Sequence, residues 1–199
     1  MQAEVLQQVF SDAPATADAN ILDAALSAFL DFGVKRTSMG EIARRAKVSP
    51  ATLYRKFPSK YAVVESVGLR EARRLVATVD GAVDTSASGA DQVADCFAAF
   101  GRELTRNRLL RRLLDTEPEA VLPHLTTKGA TILALGRAHM AQFIRRLHAD
   151  GELPAFDAAR AEQVAEICAR LSLSFALTPD GIVDITDDAA ARAFAKVTI

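Results

Sequence analysis

The stretch from residue 37 to residue 60, TSMGEIARRAKVSPATLYRKFPSK, constrains this chain more than any other, because its caps, its turn and its apolar spacing agree on one local arrangement. Ser38 stands as a helix N-cap, and Glu41, three residues on, completes the pattern of a capping box. Met39, Ile42, Ala43 and Ala46 follow at helical spacing and make one apolar face. Val48 is the hydrophobic plug of a turn. Ser49 caps a second helix, and Pro50 takes its first position, where a missing N–H costs nothing. Leu53 and Phe57 face inward at i and i+4, Pro58 stops the helix, and Ser59 caps the next one. A helix of about two turns, a tight turn and a second short helix predict a helix-turn-helix.

Charge points the same way. From Gly33 to Lys60 there are eight bases (Lys35, Arg36, Arg44, Arg45, Lys47, Arg55, Lys56 and Lys60) against one acid, Glu41, so the segment carries +7. The whole chain is −1, so the remainder sums to −8. A basic block on an acidic chain is an electrostatic footprint for phosphate, which the rest of the chain repels.

Half of the 199 residues are apolar and a quarter are charged, the balance of a globular protein with a substantial core. The N-terminus lacks the basic run and apolar core of a signal peptide, and no apolar run approaches the ~20 residues of a membrane helix. A cytoplasmic location without membrane partners is therefore expected. Cys96 and Cys168 lie far apart in helical patterns and read as buried free thiols. Residues 182–185 form the one short β-like run; elsewhere alanine, leucine, arginine and glutamate predominate, as in an all-α protein.

Along the chain, residues 1–17 read as an N-terminal arm in which a short helix ends at Pro14. The periodicity predicts a helix over 18–32, closed by Gly33, and another over 59–79. The small, polar segment 81–89 reads as a loop. Further helices are predicted over 90–105, 108–115, 119–126, 128–149 and 158–177, and a last one from 187 that is still apolar at Ile199, so a continuation of the native chain is expected.

Residues 21–64, ILDAALSAFLDFGVKRTSMGEIARRAKVSPATLYRKFPSKYAVV, resemble the TetR family of bacterial transcriptional regulators. The shared pattern is a helix ending in Phe-x-x-x-Gly, Thr-Ser before Ile-Ala, Val-Ser in the turn, Leu-Tyr-x-x-Phe, and a lysine opening the next helix. Lys47 departs from it, standing where a glycine often precedes Val-Ser, and Lys56 stands where histidine is common.

The resemblance implies a three-helix DNA-binding domain over 1–60 and a helical ligand-binding and dimerisation domain over 61–199. The helix 50–57 would enter the major groove of a double-stranded operator, with Ala51, Thr52 and Arg55 toward base edges and Ser49 and Pro50 at its start. Thr37, Ser38, Tyr54 and Lys60 match positions that hold phosphates in the family, and Lys35, Arg36, Arg44 and Lys47 are further phosphate candidates. The two final helices would make a homodimer that reads a palindromic operator. The middle helices would enclose a small, largely apolar effector, with Phe97, Phe100, Leu104, Leu114, Leu135, Met140, Phe143 and Phe175 as wall candidates and His124 and His139 as polar ones. Family habit favours repressor over activator.

The sequence has no phosphate-cradling glycine loop, no Gly-x-Ser-x-Gly elbow and no helical metal pair, since His139 and His148 are nine apart. Neither catalysis nor a metal or cofactor is expected. The alternative is a DNA-binding helical protein controlled by a protein partner; a filled core in place of an apolar cavity would favour it.

Overall fold

The apolar periodicities are realised as helices throughout. The computed structural model describes residues 18–198, and all regular structure among them is helical. In chain order the helices are α1 (Ala19–Arg36), α2 (Met39–Ala46), α3 (Pro50–Lys56), α4 (Lys60–Ala82), α5 (Gly89–Arg106), α6 (Arg108–Thr116), α7 (Pro118–Leu125), α8 (Ala130–Ala149), α9 (Ala158–Leu177) and α10 (Asp188–Thr198). The arm expected over 1–17 lies outside the described residues. By backbone contacts the described chain divides into two compact units, residues 18–73 with Arg108–Leu122, and Arg74–Asn107 with residues 123–198. The sequence places one boundary at residue 60; the first unit instead runs on to Arg73 and takes in α6 and most of α7.

In the first unit, Ile21, Leu22, Ala25 and Phe29 of α1 pack with Met39, Ile42, Ala43 and Ala46 of α2, Leu53 of α3 and Val63 and Val67 of α4. The predicted apolar face of 37–60 is thus the shared core of the unit. Removing a side chain as enclosed as Leu53 costs about 2–5 kcal/mol by loss of transfer energy and the cavity left behind.

Gly33 does more than end α1. Its backbone takes φ 81 and ψ 165, a conformation that L side chains rarely adopt, and one further helical turn follows to Arg36. A Cβ at Gly33 would also collide with Oε1 of Glu117, the carboxylate that accepts a 2.9 Å hydrogen bond from the Lys35 N–H. Residues 82 apart in sequence are joined there, which is why α6 and the start of α7 belong to this unit.

In the second unit α9 packs along α8 and across α5, and α10 lies on α5. The core holds Val93, Cys96, Phe97, Met140, Ile144, Val164, Cys168 and Ile185. Both cysteines are buried and free. Burial raises both thiols, Cys168 to about 12, so neither is a reactive thiolate near neutral pH. The β-like run at 182–185 forms no strand: Ile182 is fully exposed, and Ile185 is buried against Gly101, where a Cβ would lie 2.7 Å from Ile185 Cγ1. Asp184 accepts from the Thr186 N–H at 2.9 Å, and Arg106 Nη2 donates to the Thr186 carbonyl at 3.0 Å, so both backbone groups of Thr186 are paired without a strand. α4 also runs on to Ala82, shortening the loop expected from 81.

Gly33→Ala is expected to destabilise the first unit by about 1–3 kcal/mol, from the positive φ alone, and more if Glu117 is displaced. Urea unfolding followed by circular dichroism measures it; a midpoint unchanged from wild type would contradict this reading of Gly33.

Candidate nucleic-acid interface

The turn between α2 and α3 is built from backbone geometry upward. The Ser38 hydroxyl accepts from the Glu41 N–H at 3.1 Å, as the capping pattern requires. Glu41 does not complete the box. Its carboxylate turns to Arg44, which donates from Nε at 3.0 Å and Nη2 at 2.7 Å, and to Arg45 Nε at 2.7 Å. These guanidiniums hold the Glu41 carboxyl at about 2, far below its ordinary value, with Arg44 the larger cause. At the end of α2, Lys47 takes φ 55 and ψ 39, and donates from its N–H to the Arg44 carbonyl at 3.2 Å, while the Val48 N–H reaches Ala43 at 3.0 Å. That pairing is a Schellman motif with lysine at the left-handed position where a glycine would be unstrained.

Ser49 then caps α3. Its hydroxyl accepts from the Thr52 N–H at 3.1 Å and lies 2.9 Å from the Thr52 hydroxyl. Pro50 occupies the first turn, and Leu53 and Phe57 are buried. α3 therefore presents Ala51, Tyr54 and Arg55 outward, with Thr52 half-buried.

The structure separates the predicted phosphate contacts. Arg36, Lys47 and Arg55 are exposed, and among the described residues none of them has a carboxylate partner. Lys35 is ion-paired with Glu119, and Arg44 with Glu41. Tyr54 is half exposed. The Ser38 oxygen accepts at the α2 cap, which leaves its O–H to donate from an exposed position.

Two expectations are corrected. Thr37 is turned inward, with its Oγ1 donating to the Gly33 carbonyl at 2.7 Å, so its hydroxyl is closed to phosphate. Lys60 Nζ donates to the carbonyls of Val34 at 2.9 Å, Thr37 at 3.1 Å and Lys35 at 3.2 Å, so its ammonium is spent on backbone. Lys56, at the end of α3, is paired with Asp18. Sequence reasoning missed these acids because Asp18, Asp31 and Glu119 lie outside the basic block they neutralise.

The predicted effector residues divide as well. Phe97, Met140, Phe143 and His139 are buried in the second unit, and Phe100, Leu104, Leu135 and Phe175 are half-buried there. Phe100 stacks on His139 with centroids 6.5 Å apart, and Phe175 meets Phe194 edge-on at 5.6 Å. His139 Nε2 lies 3.3 Å from Asp80 Oδ1; burial lowers its pKa, against the opposing pull of Asp80. Leu114 belongs to the first unit and is not brought to this cluster, and His124 is exposed on α7.

The larger cavities described in the second unit have other linings. One of about 310 Å³ is lined by Ala90, Asp91, Val93, Ala94, Leu153, Phe156, Ala195 and Lys196. One of about 420 Å³ adjoins Asp80, Gln92, Phe143 and Arg146, of which only Phe143 was a predicted wall residue. Among the described residues no cluster of acidic, histidine or cysteine side chains could hold a metal, and no helix is long and apolar enough to cross a membrane.

Residues 21–67 match the family described as bacterial regulatory proteins, tetR family. Residues 89–199, more than half the chain, match the bacterial tetracyclin repressor C-terminal domain. The chain belongs to the TetR family. The segment that matches the family's N-terminal model holds the helix-turn-helix formed by α2 and α3.

The A-factor receptor protein of Streptomyces griseus is 46% identical over 48 residues, 24% of this chain and 17% of that protein. The HTH-type transcriptional repressor KstR of Mycolicibacterium smegmatis is 34% identical over 90 residues, 45% of this chain and 44% of that protein. The matched segments thus span less than half the length of either relative. Among solved structures, the TetR family repressor AlkX of Dietzia sp. strain DQ12-45-1b, implicated in biodegradation of n-alkanes, superposes with a TM-score of 0.63 at 19% identity over 94% of this chain and 95% of its own. The fatty acid degradation regulator FadR of Bacillus halodurans gives 0.59 at 14% identity over 94% and 98%. At these identities the likeness is one of fold.

The depressed Glu41 carboxyl gives a pH prediction. A folded value of about 2 against an ordinary 4.5 means that its stabilisation is full above pH 4.5 and is lost as pH falls toward 2. Glu41→Gln is therefore expected to lower the urea midpoint at pH 7, with the difference from wild type shrinking at pH 4 and again at pH 3. A difference constant over that range would contradict the assignment.

Proposed function

We propose that this TetR-family regulator is a cytoplasmic, non-enzymatic repressor that binds a palindromic operator as a homodimer and leaves it on binding a small, largely apolar effector. The observation that carries the DNA reading is the outer face of α3. Arg55 stands there exposed, beside Ala51, with Arg36 and Lys47 the other exposed cations of the unit's basic block that lack a carboxylate partner among the described residues. Arg55 has the forked geometry for a bidentate guanine contact, Ala51 and Thr52 suit base edges, and Arg36 and Lys47 suit phosphates.

A single recognition helix offers few base contacts, so two copies are needed for a selective site. α9 and α10 supply the surface: Ile167 on α9 and Val197 on α10 are large apolar side chains left 47% and 85% exposed. The division of labour would be residues 1–60 for DNA and 61–199 for effector and dimer. The cavity of about 310 Å³, walled by Val93, Ala94, Leu153, Phe156 and Ala195, has the size and character for a small apolar effector.

Control by a protein partner is the second reading. The packing of Phe97 and Phe175 against Phe194, with centroids 6.1 and 5.6 Å away, favours it, because these rings fill space that an effector in the predicted aromatic site would need.

Fluorescence anisotropy with the DNA upstream of the chain's own gene and with random-sequence DNA tests the DNA reading. Arg55→Ala is expected to lose about 1–3 kcal/mol of discrimination between the two, while Lys47→Ala weakens both alike. Equal affinity of the wild type for both DNAs would overturn sequence-specific recognition.

A further inference from the structure

The cavity of about 310 Å³ in the second unit has an apolar floor and a charged mouth. Val93 and Ala94 of α5, Leu153 after α8 and Ala195 of α10 are buried, and with Phe156 they make the floor. Asp91 and Lys196 stand at the mouth, with Ala90 exposed beside them. The walls are set before anything binds. The Phe156 N–H donates to the Leu153 carbonyl at 3.1 Å, which closes a tight turn, and Arg160 lies over the Phe156 ring at 5.7 Å. At Gly89 a Cβ would come within 2.7 Å of the Glu152 carbonyl oxygen, so the start of α5 and the chain leading into that turn are in direct contact. An apolar floor held open in this way gives water few partners and suits an apolar chain.

The mouth decides the polar end of the ligand. Lys196 Nζ lies 2.5 Å from Asp91 Oδ1, and the Ser88 hydroxyl donates to Asp91 Oδ2 at 2.7 Å. Lys196 first and Ser88 second hold the Asp91 carboxyl below the usual carboxylate range, so both members of the pair are charged at neutral pH. A carboxylate brought to this pair gains Lys196 but meets Asp91. An ammonium gains Asp91 but meets Lys196. A hydroxyl accepts from the one and donates to the other, and it costs far less to take out of water than an ion.

We propose that this cavity takes an uncharged aliphatic alcohol, its chain against Val93, Leu153, Phe156 and Ala195 and its hydroxyl between Lys196 and Asp91. At the ~30 Å³ that a water molecule takes up, the cavity holds roughly ten heavy atoms, which sets a medium chain length. This names the chemical class of the effector and rests on the reading that the cavity is the effector site, but the binding itself is measured without DNA.

Isothermal titration calorimetry on the full chain at pH 7 tests this, with octan-1-ol as the probe and octanoate and n-octylamine for comparison. One octanol per chain is expected, with octanoate and octylamine each roughly two- to fivefold weaker, because each brings a charge that one member of the pair repels. Ala90→Leu, at an exposed position that leaves folding intact, crowds the mouth and should weaken octanol at least about tenfold. Lys196→Met leaves Asp91 alone at the mouth, so octylamine should then bind more tightly than octanol. Absence of saturable octanol binding, octanoate or octylamine binding the wild type as tightly as octanol, or octanol still preferred in Lys196→Met would each overturn the alcohol. Wild-type octanol affinity in Ala90→Leu would overturn the site. Octanol is also added to the complex with the DNA upstream of the chain's gene: binding that Ala90→Leu abolishes, without release of that DNA, would keep the alcohol site and overturn the effector reading instead.

Discussion

A single ammonium ties the DNA-binding unit together. Lys60, at the first position of α4, donates to the carbonyls of Val34 and Lys35 at the end of α1 and of Thr37 ahead of α2. Lysine has three donors and no acceptor, and the end of a helix offers carbonyls without partners, so charge and geometry match. The Thr37 hydroxyl donates to Gly33, and Glu117 holds the Lys35 N–H. Three helices are thereby fixed about one joint, whose shape depends on the positive φ of Gly33. The pose of α3 rests on that joint, since α3 packs against α2 and buries Leu53 in the same core.

The joint also changes the electrostatic account of the basic block. Its formal +7 suggests a uniformly positive face. In the folded unit Lys60 is spent on carbonyls, Lys56 and Lys35 are paired with Asp18 and Glu119, and Arg45 is held by Glu41 and Asp31. The exposed Lys35–Glu119 pair contributes little to stability, but all of these pairs mute the field that a phosphate meets. In the proposed DNA complex the attraction narrows to the exposed Arg36, Lys47 and Arg55. A narrower set of cations leaves more of the affinity to base contacts and less to nonspecific charge.

Much of this was legible in the sequence where cause and effect are local. The Ser38 and Ser49 caps, Pro50 in the first turn of α3, the inward Leu53 and Phe57 and the break at Gly33 all follow from spacing within a few residues. The strain at Lys47 follows from a non-glycine at a left-handed position. The failures are non-local. Nothing near Thr37 or Lys60 says that each will turn to backbone, because a polar side chain opening a helix looks the same whether it faces phosphate or carbonyl. Glu117 is 82 residues from its partner Lys35. Leu114 follows the helical pattern of the wall candidates but packs in the other unit. Asp80, Gln92 and Arg146 carry no apolar signal, so a search for apolar pocket walls passes over the charged cavity they line.

The central claim is that Lys60 acts by holding the joint and not by touching DNA. The salt dependence of DNA binding by Lys60→Met, with its urea midpoint measured alongside, tests it most directly. A residue that only organises the joint takes affinity and stability with it but releases no counterions. The plot of log K against log salt concentration should then keep the wild-type slope, while the midpoint falls. A slope reduced by about one unit, with stability unchanged, would show that Lys60 contacts a phosphate and would contradict the account.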